Sequence, residues 1–266
     1  MQSPDRMVIR MADNKKKTLK TEENLRNERR FMIGPRLSFA AAESYKLLRT
    51  NIMFSFSDDT SGDGKVIGVT SSVPGEGKSM TLLNLAYTFA ESRKSVLLIE
   101  GDMRLPTLAN RLKLKTGPGL SNLLVGLNSI NDAIQKFTTG KEGTKPVSVD
   151  VIVAGTIPPN PSELLGSARL DSLLAILRKN YDYIFIDQPP VTVVTDALIT
   201  SNRIDGTIIV VRNNHTDRGA LAETMRQLKL VDARVLGFVY NGAESGGGKY
   251  YKKGYYKNKD YYYKKP

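Results

Sequence analysis

Four stretches of the chain carry side chains able to do chemistry. Ser71-Ser72-Val73-Pro74-Gly75-Glu76-Gly77-Lys78-Ser79 puts a glycine-containing turn directly before a lysine and a hydroxyl. Glu100 and Asp102 follow the apolar run Val96 to Ile99 and precede Arg104, and Asp187 follows the run Tyr183 to Ile186. The last eighteen residues, Lys249 to Pro266, hold seven of the twelve tyrosines, Tyr250, Tyr251, Tyr255, Tyr256, Tyr261, Tyr262 and Tyr263, among seven lysines. Backbone N–H groups in such a turn surround phosphate, carboxylates at strand ends hold a hard cation, and phenols accept phosphoryl groups.

The first stretch has the context a P-loop requires, an apolar strand before it and the apolar helix MTLLNLAYTFA after it. Gly75, Glu76, Gly77, Lys78, Ser79 and Met80 are its candidate nucleotide-binding residues. The backbone and helix dipole cradle the phosphates, Lys78 reaches the β and γ phosphates, and the Ser79 hydroxyl is placed to ligate Mg²⁺. Ser72 departs from the G-x-x-x-x-G-K-[ST] pattern by standing where its first glycine belongs. The second stretch sends Glu100 and Asp102 to the same side, because strand side chains alternate. In the third, Asp187 sits where a carboxylate can hold Mg²⁺ in P-loop enzymes. Asn241, closing the last apolar run, is a candidate adenine contact.

The elements that must position these groups alternate. Buried strands are expected at Val66 to Thr70, Ser95 to Glu100, Asp150 to Val153, Tyr183 to Asp187, Thr207 to Val211 and Val235 to Tyr240. Helical patterns fall at Ser79 to Ser92, Ile130 to Phe137, Leu170 to Asn180 and Gly219 to Leu230. That order predicts an α/β fold with a doubly wound, mostly parallel sheet, whose ligands bind beyond the carboxyl ends of the strands. At 266 residues with a hydrophobic fraction of 40%, the chain can bury a sizeable core. Its apolar runs fall short of the ~20 residues that cross a bilayer. An apolar signal segment is also missing near the start, so a cytoplasmic protein is expected. With no cysteine and one histidine, disulfides, thiolate zinc sites and cysteine nucleophiles are excluded.

A net charge of +12 suggests nucleic acid until it is placed along the chain. Residues 1 to 30 carry nine basic and five acidic residues, residues 249 to 266 seven and one, and the middle is nearly neutral. The charge therefore sits on two extensions, and no nucleic-acid partner is expected. Three regions follow: a disordered basic arm at 1–35, a folded P-loop domain at 36–243, and a flexible glycine hinge with a solvated tyrosine- and lysine-rich tail at 244–266. His215 reads as a loop residue, and Lys141 to Lys145 as an exposed turn.

The PGEGKS loop, the hydrophobic-acid-x-Asp-x-Arg strand end, the YDYIFID segment, AGTIPPNPSELLGS and the closing tyrosine cluster together resemble the bacterial tyrosine kinases, over nearly the whole chain. The resemblance implies a P-loop NTPase fold and ATP-dependent transfer to the tail tyrosines, mainly between subunits. It also implies a separate transmembrane activator of the polysaccharide co-polymerase type. Capsular or exopolysaccharide synthesis would be the process served, with proteins of that pathway as further substrates. By the same resemblance Lys78 stabilises the transferring phosphoryl, while Ser79, Asp102 and Asp187 organise Mg²⁺. Glu100, where the family usually has aspartate, takes the position of the acid that approaches the phenol. Glu43, Lys46 and Arg49 lie at three-residue spacing on one side of a helix and correspond to the family's ring-forming E-x-x-R-x-x-R, with lysine for the first arginine. The resemblance thus implies a homo-oligomer, and a kinase peripheral to the inner face of the membrane through its activator. Two other readings stay open on the residues: a partitioning or positioning ATPase, whose signature lysine would stand near Ser71 and Ser72, and a nucleotide-gated scaffold without kinase activity.

Overall fold

A computed structural model of the chain describes residues 37–140 and 145–242. The basic arm, the tyrosine tail with its seven candidate acceptors, and all of the expected Lys141 to Lys145 turn except Lys145 lie outside the described residues. Seven strands form one sheet: β1 (Lys65–Ser71), β2 (Val96–Glu100), β3 (Ile134–Thr139), β4 (Val147–Ile152), β5 (Tyr183–Asp187), β6 (Gly206–Arg212) and β7 (Val235–Asn241). Their order is β3-β4-β2-β5-β1-β6-β7, with β3 antiparallel to β4 and every other pair parallel.

The longer helices are α1 (Phe39–Phe54), α2 (Lys78–Glu91), α7 (Ala168–Arg178) and α9 (Arg218–Leu230). Shorter ones are α3 (Leu108–Leu112), α4 (Leu120–Val125), α5 (Ile130–Ala133), α6 (Pro161–Leu165) and α8 (Asp196–Ser201). Ser38 caps α1 and Asp217 caps α9, their side-chain oxygens accepting from Ala41 N at 3.3 Å and Ala220 N at 3.1 Å.

Period-two alternation divides the core between the two faces of the sheet. Ile67, Val69, Leu98, Tyr183 and Phe185 pack with Leu82, Leu85 and Phe89 of α2 on one face. Val66, Leu97, Ile99, Ile184 and Ile186 pack with Leu170, Leu173, Leu174 and Leu177 of α7 on the other. Because both faces are covered, β1, β2 and β5 read as unbroken apolar runs. Phe89 anchors the first layer, its ring centroid 4.3 Å from Tyr183 and 5.2 Å from Phe185.

One expected element is different. Ile130, Ala133, Ile134 and Phe137 have helical spacing, but only Ile130–Ala133 is helix, and Ile134 begins the edge strand β3. From Lys136 onward exposure alternates, with Lys136 and Thr138 exposed and Phe137 and Thr139 less so. Six-residue pairing with β4 overrides the short apolar period, which alone does not separate helix from strand.

Candidate active site

β5 is hydrogen-bonded between β2 and β1, so the carboxyl ends of all three lie side by side. In register, Asp187 stands beside Glu100 of β2 and Val69 of β1, which brings the phosphate loop and the acids to one edge. The loop turns on two glycines in the left-handed region, Gly75 at φ +84° and Gly77 at φ +93°. A Cβ on Gly77 would lie 2.2 Å from Asn241 Nδ2, so glycine is required there for space as well as for conformation.

Lys78 and Ser79 open α2 at the mouth of this loop. Lys78 Nζ lies 3.7 Å from Asp102 Oδ2 and 3.9 Å from Asp187 Oδ1, an ammonium held between two carboxylates by charge. Asp187 is buried, and its Oδ1 has no hydrogen-bond partner among the described residues. Burial pushes its carboxyl above the ordinary aspartate range, while the Lys78 ammonium and the Ser79 hydroxyl pull it down. Asp102 Oδ1 accepts from Leu105 N at 3.0 Å, leaving Oδ2 toward Lys78. Met80 is half-buried in the next position of α2, and Ser72 is fully buried with its hydroxyl unpartnered among the described residues.

Glu100 is placed differently from the expectation that it approaches a phenol. Its Oε1 accepts from Thr107 N and from Leu108 N at 2.7 Å, and its Oε2 from Ala154 N at 3.1 Å. This buried carboxylate braces the start of α3 against the end of β4; burial raises its pKa and the three backbone bonds oppose the rise. Its extra methylene lets it fold back onto backbone donors. Asn241, expected near adenine, instead donates from Nδ2 to Glu76 O at 2.9 Å. Glu76 is itself buried, its carboxylate accepting from Val73 N at 2.9 Å and from the Thr216 hydroxyl.

Of the further residues at the site, only Arg104 was noted in the sequence, as the arginine after the second strand end. Arg111, in the last turn of α3, lies where its guanidinium acts on Asp187 by charge; burial lowers its pKa and Asp187 opposes that. Arg104 makes a two-pronged contact with buried Asp196, Nε to Oδ2 at 2.8 Å and Nη2 to Oδ1 at 3.1 Å, and reaches Ser162 Oγ at 3.0 Å. Ser162 Oγ donates to Asp196 Oδ1 at 2.6 Å. This triad ties EGDMRLP, PPNPSELL and VVTD into one wall.

The three helix α1 residues split. Glu43 and Lys46 pair with each other at 2.8 Å on the exposed side, whereas Arg49 Nη1 donates inward to Thr88 O of α2 at 2.7 Å.

Comparison with known proteins agrees with this geometry. A family model described as an AAA domain matches residues 64–236. The chain is 35% identical to the tyrosine-protein kinase YwqD of Bacillus subtilis (strain 168) over 224 residues, 84% of this chain and 90% of that protein. The chain belongs to the bacterial tyrosine-protein kinases. This kinase is also 34% identical to the tyrosine-protein kinase CpsD of Streptococcus pneumoniae serotype 4 over 211 residues, covering 79% of this chain and 88% of its relative. Among solved structures, the kinase domain of Escherichia coli tyrosine kinase ETK superposes with a TM-score of 0.70 at 28% identity, over 79% of each chain. The chimerical protein CapA2B2 does so at 0.66 and 34%, over 74% of this chain and 83% of that one. The Pyrococcus furiosus cell division ATPase MinD, at 24% identity and a TM-score of 0.53 over 66% of this kinase and 71% of that chain, shares the fold alone. The kinase reading therefore displaces the positioning-ATPase alternative, and the P-loop fold implies ATP binding.

Proposed function

We propose that this kinase transfers the γ-phosphoryl group of ATP to tyrosines of its own tail, Tyr250 to Tyr263, mainly between subunits. In this reading it controls capsular or exopolysaccharide synthesis beside a transmembrane activator. The observation that carries the chemistry is Lys78 held between Asp102 and Asp187 at the mouth of the loop. Phosphoryl transfer demands positioning and charge neutralisation more than a strong base. Loop N–H groups bind and orient the phosphates, and Lys78 moves its charge onto the γ-phosphoryl oxygens as charge spreads over them. Arg111 adds a second cation close to Asp187. Glu100 holds the loop after β2 in place.

Oδ1 of Asp187, which has no hydrogen-bond partner among the described residues, the adjacent Ser79 hydroxyl and Asp102 are hard oxygen donors of the kind Mg²⁺ takes, so the residues fit that ion. Ser79, Asp102 and Asp187 would hold it, directly or through water. When bound, it neutralises charge on the β and γ phosphate oxygens.

The domain limits of 1–35, 36–243 and 244–266, the ring role of Glu43, Lys46 and Arg49, and substrates among pathway proteins belong to the same proposal. No described helix is long and apolar enough to cross a membrane. Residence in the cytoplasm at the inner membrane face, through the activator, belongs to this proposal as well.

A mixing experiment tests the direction of transfer. A chain lacking residues 249–266 is incubated with a Lys78→Met chain that keeps its tail, in Mg-ATP with the activator's cytoplasmic segment. Phosphotyrosine on the Lys78→Met chain is expected. Its absence, with self-labelling of the full chain intact, would refute transfer between subunits.

A further inference from the structure

The outer edge of the sheet grips the phosphate loop by its carbonyls. Three successive ones accept hydrogen bonds from the ends of β6 and β7. His215 Nε2 donates to Pro74 O at 2.9 Å, Arg212 Nη1 to Gly75 O at 2.8 Å, and Asn241 Nδ2 to Glu76 O at 2.9 Å. A carbonyl only accepts, so Nε2 of His215 carries its hydrogen. The Thr216 hydroxyl adds a fourth hold through the buried Glu76 carboxylate.

The turn that supplies these donors is closed on itself. Arg212 N donates to Thr216 Oγ1 at 2.8 Å, and His215 N and Thr216 N donate to Arg212 O at 3.2 and 3.1 Å. Asn213 N donates to Asn241 O at 2.9 Å, joining the turn to the last residue of β7, and the Tyr240 hydroxyl reaches Asn213 Oδ1 at 2.6 Å. All of this sits at the carboxyl ends of β6 and β7.

In a trans peptide unit the C=O and the following N–H point in opposite directions. Tethering the carbonyls of Pro74, Gly75 and Glu76 to the β6–β7 edge therefore aims the N–H groups of Gly75, Glu76 and Gly77 away from that edge. Those are donors that a phosphate-binding loop must present together. Left-handed glycines at both ends make this segment intrinsically loose, so the donors need an external hold.

We propose that Arg212, His215, Thr216 and Asn241 are positioning residues for nucleotide phosphates, a carbonyl clamp that presets the loop's N–H donors from the carboxyl ends of β6 and β7. The proposal rests on the nucleotide-binding reading of the loop and gives Asn241 a role at the phosphate end of the ligand.

The test measures equilibrium binding of ATP and of inorganic tripolyphosphate, which has no adenine, to the full-length chain. The variants are Asn241→Ala, Arg212→Ala and His215→Ala, with Arg212→Lys as the conservative partner. Each alanine variant is expected to weaken both ligands by the same factor, about fivefold to tenfold for one lost hydrogen bond. Arg212→Lys should restore most of the loss. KM for ATP should rise with kcat at saturation held within about twofold, as expected for uniform binding, and melting temperature should fall by no more than about 4 °C, the scale of one lost hydrogen bond in a domain of this size. Unchanged binding of both ligands in all three alanine variants would overturn the clamp. A loss confined to ATP in Asn241→Ala would overturn it at that residue and return Asn241 to adenine. Failure of the unaltered chain to bind either ligand would instead overturn the nucleotide-binding reading beneath it.

Discussion

Lys78 Nζ stands 3.9 Å from Oδ1 of Asp187, a buried oxygen with no hydrogen-bond partner among the described residues. The loop after β1 thus delivers its cation to the end of β5, and the pair couples nucleotide chemistry to the stability of the nucleotide-free chain.

Lys78→Met should lower phosphotyrosine formation by about 100-fold or more, the scale of losing one charge stabiliser at a transition state. The substitution leaves Asp187 with Arg111 as its remaining cation, beside the Ser79 hydroxyl and the like charge of Asp102. Initial rates at saturating Mg-ATP check this, with the unaltered chain as reference.

Asp187 gives a pH dependence whose sign is fixed. Burial holds its folded pKa above the unfolded value, so between the two the folded chain keeps a proton the unfolded chain has lost. Stability from this group is present at low pH and is lost as pH rises through the folded pKa. In metal- and nucleotide-free protein, Asp187→Asn should therefore melt higher than the unaltered chain at pH 8, with the gap closing toward pH 4. Melting curves across that range would show a constant or reversed gap if the buried charge were not costly.

Glu100 separates a brace from a base. Glu100→Asp keeps the charge but withdraws it from Thr107 N, Leu108 N and Ala154 N. Leaving these donors short of a partner should cost about 1–3 kcal/mol of stability by denaturant titration. The pH–rate profile should keep its shape in Glu100→Gln, whereas a catalytic base would take the acid limb with it.

Phe89→Ala should cost about 3–5 kcal/mol, because the ring fills the space between α2 and the Tyr183 and Phe185 rings of β5. Urea midpoints measure this, and an unchanged midpoint would mean that the layer re-closes over the gap.

β1, α2, β2 and β5 could be read in the sequence because strands covered on both faces leave continuous apolar runs, and each run ended on the loop or acid that mattered. Ile130 to Phe137 could not, since four apolar residues at helical spacing satisfy either period until a partner strand is known. Asp102, Asp187 and Lys78 were visible from their places at strand ends. Arg212, His215 and Thr216 were not, because they lie some 140 residues from the loop they hold; only the β1–β6–β7 order brings them together. For Glu100, strand alternation gave its side but not the backbone donors of Thr107, Leu108 and Ala154 that capture its longer side chain.

The central claim, transfer to the tail, is tested most directly by mapping phosphotyrosine on the full chain after incubation with Mg-ATP and the activator's cytoplasmic segment. Modification within Tyr250 to Tyr263 that disappears in Lys78→Met is the predicted result. ATP hydrolysis without phosphotyrosine on the tail would contradict it and leave a nucleotide switch in its place.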